Sequence, residues 1–280
     1  MSGDLLNPQI QQFYDRSTQI WLDTWGEHMH HGFYGWDGSA QKDHRQAQVD
    51  LVEEMLQWAG VSEAKRILDA GCGVGGSARL LAHKFNAEAL GFTLSPVQVR
   101  AAEELTERVG LSERVRFQAR DMMSLGREDG QFDLIWSMES AEHIRDKAQL
   151  FRLFYDRCAD DGQLLMATWC HRPTPPLLQT QEQELLHRIY RHYHLPPMVS
   201  LDTLAQMARQ AGFQGVETAD WSQAVAPFWK AVIRSALSLK SATGLIRSGW
   251  PTIKGAWAMR YMTRGFKTGL LQFGLVKAYK

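Results

Sequence analysis

The chain has 280 residues, 44% hydrophobic and 22% charged, enough apolar material for a full core and a composition that excludes a disordered or fibrous protein. Its three cysteines, Cys72, Cys158 and Cys170, show no CxxC spacing, which argues against a disulfide framework or a structural zinc site and reads as small apolar filler. Formal net charge is zero, yet no acidic residue follows Asp220 while ten Lys and Arg do; removing those ten from the 31 basic residues leaves 21 against 31 acidic ones in positions 1 to 220, a basic tail on an acidic body.

The start, MSGDLLNPQIQQFYD, has neither a basic stretch leading into an apolar one nor an Arg-rich, acid-poor character, and no apolar run approaches the length of a membrane span. The expectation is a cytoplasmic chain without signal or transit peptide. Residues 25–36, WGEHMHHGFYGW, then crowd histidines and aromatics together. They cannot form a metal centre on one regular element, because a strand aligns His28 with His30, a helix aligns His28 with His31, and the odd one points away.

From position 66 the pattern alternates. RILDA reads as a strand ending in glycines, SARLLAHKF as a helix, AEALGFTL as a strand, and SPVQVRAAEELTERVG as a helix closed by Gly110. RVRFQARD, FDLIWSME and GQLLMATW follow as strands, with DKAQLFRLFYDRCA a helix between the last two. Alternation of this kind predicts a parallel sheet covered on both faces, with ligands at the carboxyl ends of the strands. Three segments flank it: a leader over residues 1–45, helices around the LPP at 195–197, and a mostly helical stretch over about 224–268 between the strands GVETADWS and LLQFGLVKAYK. The organisation expected is a lid of helices and loop (1–45), a cofactor-binding core (46–172), and a region (173–280) that completes the sheet and carries a helical substrate cap.

ILDAGCGVGG at 67–76 formally contains GxGxxG after a strand and before a helix, a pattern shared with dinucleotide sites. Asp69 argues against a pyrophosphate, since its carboxylate would stand beside two negative charges, and no acid ends the next strand to take a ribose diol. A cationic cofactor reverses the first objection. The DxGxGxG loop resembles the first motif of the class I methyltransferases, which implies S-adenosylmethionine, with S-adenosylhomocysteine as product, and a Rossmann-like, mostly parallel seven-stranded sheet with an N-terminal lid and a helical cap before the last strand.

The resemblance sharpens along the chain. WGEHMHHGFYG, GFTLSPVQ, FDLIWSMESAEHIRDK, MATWCHRP, ADWSQAVAPFWKAVIRSAL and LIRSGWPTIKGAWAM together are similar to the γ-tocopherol C-methyltransferases, over essentially the whole chain. The resemblance implies methyl transfer to a ring carbon of a lipophilic prenylated phenol, γ- to α-tocopherol and δ- to β-tocopherol, with a prenylated benzoquinol, an amine nitrogen or a non-catalytic binding role as alternatives. It implies cofactor contacts from Asp69, Gly71, Cys72 and Gly73, from Thr93, Leu94 and Gln98 on the ribose, from Asp121 and Met122 on the adenine, from Met138 at the fourth strand, and from Tyr14, Met29 and His30 beneath the lid. Gln98 also fits a capping box with Ser95. The family pattern of Met-Pro-Phe after the adenine-site acid and of Glu-His-Met-Pro-Asp later is replaced here by Asp121-Met-Met-Ser-Leu and Glu142-His143-Ile-Arg-Asp.

The chemistry asks for a base beside the phenol. His143 lies just past the fourth strand and titrates in the useful range; Glu142 or Glu139, the lid histidine His31, or a purely positional role for all of them are the alternatives. Adjacent Glu142 and His143 should diverge, so that only one faces the pocket. Tryptophans and cations interleaved from Phe228 and Trp229 through Lys230, Arg234, Lys240, Arg247, Trp250, Lys254, Trp257, Arg260 and Arg264 to Lys267 read as an interfacial surface that would meet anionic lipid, with no nucleic acid implied.

Overall fold

The computed structural model describes residues 6–231 and 250–280. A lid helix, α1 (Leu6–Trp25), leads through an irregular segment to α2 (His44–Ala59). The Asp43 side chain caps α2 by accepting from the N–H groups of Arg45 and Gln46, and Gly60 ends it at φ 70. Then come β1 (Arg66–Ala70), α3 (Gly76–Phe85), β2 (Glu88–Thr93), α4 (Pro96–Arg108), β3 (Val115–Ala119), β4 (Phe132–Met138), α5 (Lys147–Arg157), β5 (Cys158–His171), α6 (Thr180–Tyr193), α7 (Leu201–Ala211), β6 (Gln214–Asp220), α8 (Ser222–Val225), α9 (Trp250–Lys267) and β7 (Leu271–Tyr279).

The strands form one seven-stranded sheet in the order β3-β2-β1-β4-β5-β7-β6. Pairings from β3 through β5 are parallel, and β7 is antiparallel to both β5 and β6. Successive residues of the central strands serve opposite faces. Ile67, Leu134, Trp136 and Leu165 join the apolar layer under α2 and α3, while Leu68, Ile135, Leu164 and Met166 join the layer under α5 and α7. Strand order reverses between β1 and β4, and a crevice opens at their carboxyl ends where the two connections leave in opposite directions.

The seven strands and most helices stand where the sequence places them. The helix expected to run through Ala159 stops at Arg157, because β5 already begins at Cys158, which pairs with Phe132 across an irregularity in register. The cap contains the short α8 and, later, α9, with Arg234, Lys240 and Arg247 outside the described residues. Phe228 and Trp229, expected as interfacial anchors, are instead buried at 3% and 5% exposure.

Candidate active site

The crevice at the β1–β4 reversal is a cleft enclosing about 920 Å³, open mouth included. Its floor is the glycine loop. Gly71 has φ 98, and a Cβ there would sit 2.1 Å from the Ser140 Cβ, so the loop reaches this close to the turn after β4 only as glycine. Gly73 likewise has positive φ. Asp69 is buried, with Oδ2 lacking a partner among the described residues. Burial drives its carboxyl up to about 7, against the backbone N–H of Ala78 and the Arg79 charge, which favour the anion. A buried carboxylate oxygen aimed at nothing is costly unless a donor or cation completes it. S-adenosylmethionine, with a sulfonium and an ammonium and no phosphate, fits that requirement.

Every residue expected at the cofactor lines this cleft. Thr93, Leu94 and Gln98, the residues expected at the ribose, form one side, where the Thr93 hydroxyl donates to Gln98 Oε1 at 2.6 Å. The capping box is only half made. Ser95 Oγ accepts from the Gln98 N–H, but the Ser95 N–H goes to Thr93 Oγ1, leaving the Gln98 amide turned towards Met29 and the cleft. Asp121 and Met122 line the far end; Asp121 accepts from the Met123 N–H and, at 2.6 Å, from Nδ2 of Asn7 on α1. Cys72 is a buried lining residue whose thiol burial pushes well up, and Met138 closes the β4 side.

The lid is pinned from several sides. Ser95 donates to Asp15, Gln48 donates to the His28 and His30 carbonyls, and Arg79, itself buried, pairs with Glu27 at 2.7 Å. Met29 and His30 face the cleft. His28 and His30 bond to each other at 3.1 Å, and burial lowers both, His28 to about 3.

Beyond the lid a second cavity encloses about 2080 Å³, open mouth included, more than twice the first. Its wall is mostly aromatic: Phe13, Trp21 and Trp25 from α1, Trp169 from β5, Tyr193 from α6, and Phe228 and Trp229, which turn inward against the His31 ring at 4.4 and 5.1 Å between centroids. Sequence reasoning assigned Phe228 and Trp229 to the surface because their interleaving with lysines looks interfacial; burial against a lid residue nearly two hundred positions earlier leaves no local signal. Tyr14, Met29, Glu139 and His143 border both cavities, so the two spaces meet there.

At that junction Tyr14 is not directed at the cofactor alone: its hydroxyl lies 2.9 Å from His143 Nε2, and burial followed by the Glu142 and Glu139 charges raises it above the usual tyrosine range. His143 Nδ1 has no partner, and burial, then Lys147 and His194, lowers the ring to about 4. Glu142 and His143 do not diverge as expected; both border the large cavity, because Ala141–His143 is a tight 3₁₀ turn rather than a strand or α-helix. Burial and the nearby Glu139 push Glu142 up to about 8 while Thr168 donates to it at 2.9 Å. Glu139 sits immediately after β4 at φ 47, a backbone conformation that costs a non-glycine residue about 1–3 kcal/mol. Its carboxylate accepts from the His31 backbone N–H at 2.6 Å and from Trp169 Nε1 at 3.1 Å, and lies 2.7 Å from His31 Nδ1.

Comparison with known proteins agrees with this architecture. The family described as Methyltransferase domain matches residues 40–218. The chain is 42% identical to the chloroplastic tocopherol O-methyltransferase of Arabidopsis thaliana, over 100% of this chain and 84% of that one. It is 32% identical to the 2-methyl-6-phytyl-1,4-hydroquinone methyltransferase of Synechocystis, over 97% and 87% of the two chains. The cyclopropane synthase MmaA2 of Mycobacterium tuberculosis shares the fold with a TM-score of 0.82 at 17% identity, over 98% of each chain.

Proposed function

The chain belongs to the tocopherol methyltransferase family, as an S-adenosylmethionine-dependent methyltransferase, and from that premise we propose that it methylates a ring carbon of a prenylated phenol, γ-tocopherol to α-tocopherol and δ-tocopherol to β-tocopherol, in vitamin E biosynthesis. One observation carries the reading: a large aromatic cavity opens onto a cleft suited to a cationic cofactor, at the few residues common to both. A chroman ring with its prenyl tail is a substrate of that size and polarity.

The cofactor would lie along the glycine loop, with Asp69, Gly71, Cys72 and Gly73 below, Thr93, Leu94 and Gln98 beside the ribose, Asp121 and Met122 at the adenine, Met138 at the β4 edge, and Tyr14, Met29 and His30 above. Bound there, S-adenosylmethionine supplies an electrophilic methyl group. The protein's own contribution is to hold the ring carbon in line, exclude water, and manage the phenol proton, with positioning the larger share and general-base assistance worth roughly 10²- to 10⁴-fold. His143 is neutral at pH 7 and can accept a hydrogen bond, and Glu142, largely protonated at that pH, can donate one.

An amine acceptor would want a smaller and more acidic pocket. Here Glu142 is mostly protonated at pH 7 and the Glu139 carboxylate is already taken up by hydrogen bonds from His31 and Trp169, so neither carboxyl stands free to receive an ammonium. The name of the Arabidopsis relative specifies oxygen, whereas activation of a phenol beside an aromatic cavity serves carbon as well; the products separate the two, since carbon methylation leaves the hydroxyl free. Exposed Lys230, Arg260, Arg264 and Lys267 support peripheral contact with an anionic membrane surface, from which such a substrate would be drawn. Among the described residues no helix is long and apolar enough to cross a membrane.

The test is incubation with methyl-labelled S-adenosylmethionine and, separately, γ-tocopherol, δ-tocopherol, 2-methyl-6-phytylbenzoquinol and a tertiary-amine precursor, with and without anionic vesicles. Label in α-tocopherol with its hydroxyl intact is the expected product. Label confined to a methyl ether, a quinol or an amine would replace the acceptor proposed.

A further inference from the structure

Three histidines border the acceptor cavity, His31, His143 and His194, and the surroundings of the first two differ. His143 has its Nε2 engaged by the Tyr14 hydroxyl. His31 is held on its other side: Nδ1 lies 2.7 Å from Glu139 Oε2, the same carboxylate takes the His31 backbone N–H, and Trp169 Nε1 adds a third hydrogen bond. Burial alone would raise the Glu139 carboxyl, but the facing His31 and the hydrogen bonds it donates outweigh that and hold it below the ordinary range. An ionised carboxylate accepts only, so Nδ1 is the donor, and the lone pair of the neutral ring is the one on Nε2. Nε2 has no partner among the described residues, on a side chain 1% exposed in the wall of the aromatic cavity. The left-handed backbone of Glu139 aims the carboxylate at this ring from the end of β4, directly beside the junction with the cofactor cleft.

We propose that His31, oriented by Glu139, is the base that takes the hydroxyl proton of the phenolic acceptor, with the phenol oxygen seated at Nε2. This rests on the phenol reading above. The O–H bond breaks and its proton passes to Nε2, giving an imidazolium paired with the Glu139 carboxylate. The phenolate's ring carbon forms its bond to the methyl as the methyl–sulfur bond breaks, giving a neutral dienone. Loss of the ring proton to water returns that electron pair to the ring, and Nε2 gives its proton back to the oxygen, so one proton leaves overall. Glu139 is a positioning residue. The other titratable groups around the ring are Tyr14 from α1, Glu142 and His143 from the turn after β4, His30 on the same loop, and His44 from α2 behind Phe228.

The full chain, His31→Asn and Glu139→Gln are compared from pH 6.5 to 9.5 with γ-tocopherol. Asparagine keeps a donor close to where Nδ1 sits, and with it the tie to Glu139, but has no group at Nε2. The expected result at pH 7 is kcat lower by about 10²- to 10⁴-fold with cofactor Kd within about twofold of the unsubstituted protein. The defect should shrink by roughly tenfold per pH unit as solvent ionises a phenol of pKa about 10. Glu139→Gln should show the same pH rescue from a smaller initial loss, and it serves alone if His31→Asn does not fold. A residue that only ties the lid down would give a defect independent of pH with weakened cofactor binding, and that result, or an unchanged kcat, overturns the assignment. Failure of the unsubstituted chain to label any phenol removes the phenol reading and this inference together; labelling by the unsubstituted chain with no rescue removes this inference only.

Discussion

Replacing Asp69 by asparagine tests whether the cleft is built for a cation. In the empty protein the Asp69 carboxyl is pushed up to about 7 by burial, and its Oδ2 has no partner. A bound cation favours the ionised form, so binding must release the proton wherever the carboxyl still carries it. With the carboxyl about one-tenth ionised at pH 6 and nine-tenths at pH 8, S-adenosylmethionine should bind about tenfold more weakly at pH 6. Asp69→Asn should abolish this pH dependence and weaken binding at pH 8 by about 1.5–3 kcal/mol, the worth of a hydrogen bond to a charged group, or roughly 10- to 150-fold. Stability without cofactor should move the other way. A carboxyl whose folded value is raised contributes nothing adverse below its unfolded value near 3.8 and costs stability as pH rises to about 7, so the empty Asn variant should melt higher than the parent at pH 8 and equally at pH 4. Calorimetric titration in two buffers of different ionisation enthalpy reads the proton release, and thermal melts read the rest. Equal affinity at pH 6 and pH 8 in the unsubstituted protein would refute the reasoning.

Glu142→Gln should be nearly silent in melts at pH 4, where Glu142 is protonated both folded and unfolded, and should gain on the parent as pH rises from the unfolded value of 4.5 towards about 8. By pH 9, where the parent has to carry a buried carboxylate beside Glu139, the variant should be the more stable, each ~1 kcal/mol of difference appearing as about 2–4 °C; parallel melting curves across that range would show that Glu142 is already ionised at neutral pH. Gly71→Ala places a Cβ 2.1 Å from Ser140 Cβ at φ 98, so cofactor binding should be lost and the melting temperature lowered. Adding Ser140→Gly should recover part of the stability by removing the clash but not the backbone strain, and full recovery would mean that the left-handed conformation is not required.

What the sequence made legible was whatever local patterning encodes. The strands and helices of the sheet follow from apolar runs between glycines and caps, and Asp69 with the glycines announces a cleft and the sign of its ligand because all lie within ten residues. The acceptor cavity was not legible in the same way. Phe228 and Trp229 sit among lysines in the sequence yet pack on His31, and Asn7 reaches Asp121 across more than a hundred positions. The Glu139–His31 pair is invisible for the same reason, and Glu139 carries no sign in its neighbours of the left-handed backbone that aims it. The capping-box pattern at Ser95 is a local signal that was right about the helix start and incomplete about Gln98, whose side chain serves the cleft instead.

The lid joins the two halves of the reaction. Helix α1 brings Asn7 to Asp121 at one end of the cleft, Asp15 to Ser95 at its side, and Tyr14 to His143, while Phe13, Trp21 and Trp25 of the same helix wall the second cavity. A ligand at either end therefore acts on an element that the other end shares. If cofactor contacts favour the seated lid, they favour an assembled acceptor wall, and by linkage the acceptor must tighten the cofactor by the same factor. Among the described residues the histidine loop is tied to α2 by Gln48, to α3 by the Glu27–Arg79 pair and to the end of β4 by Glu139, so on the proposed role of His31 the contact that seats the loop there also orients the base. On that proposal, seating of the loop and proton acceptance share the same 2.6 and 2.7 Å contacts, so weakening Glu139 would disturb both together.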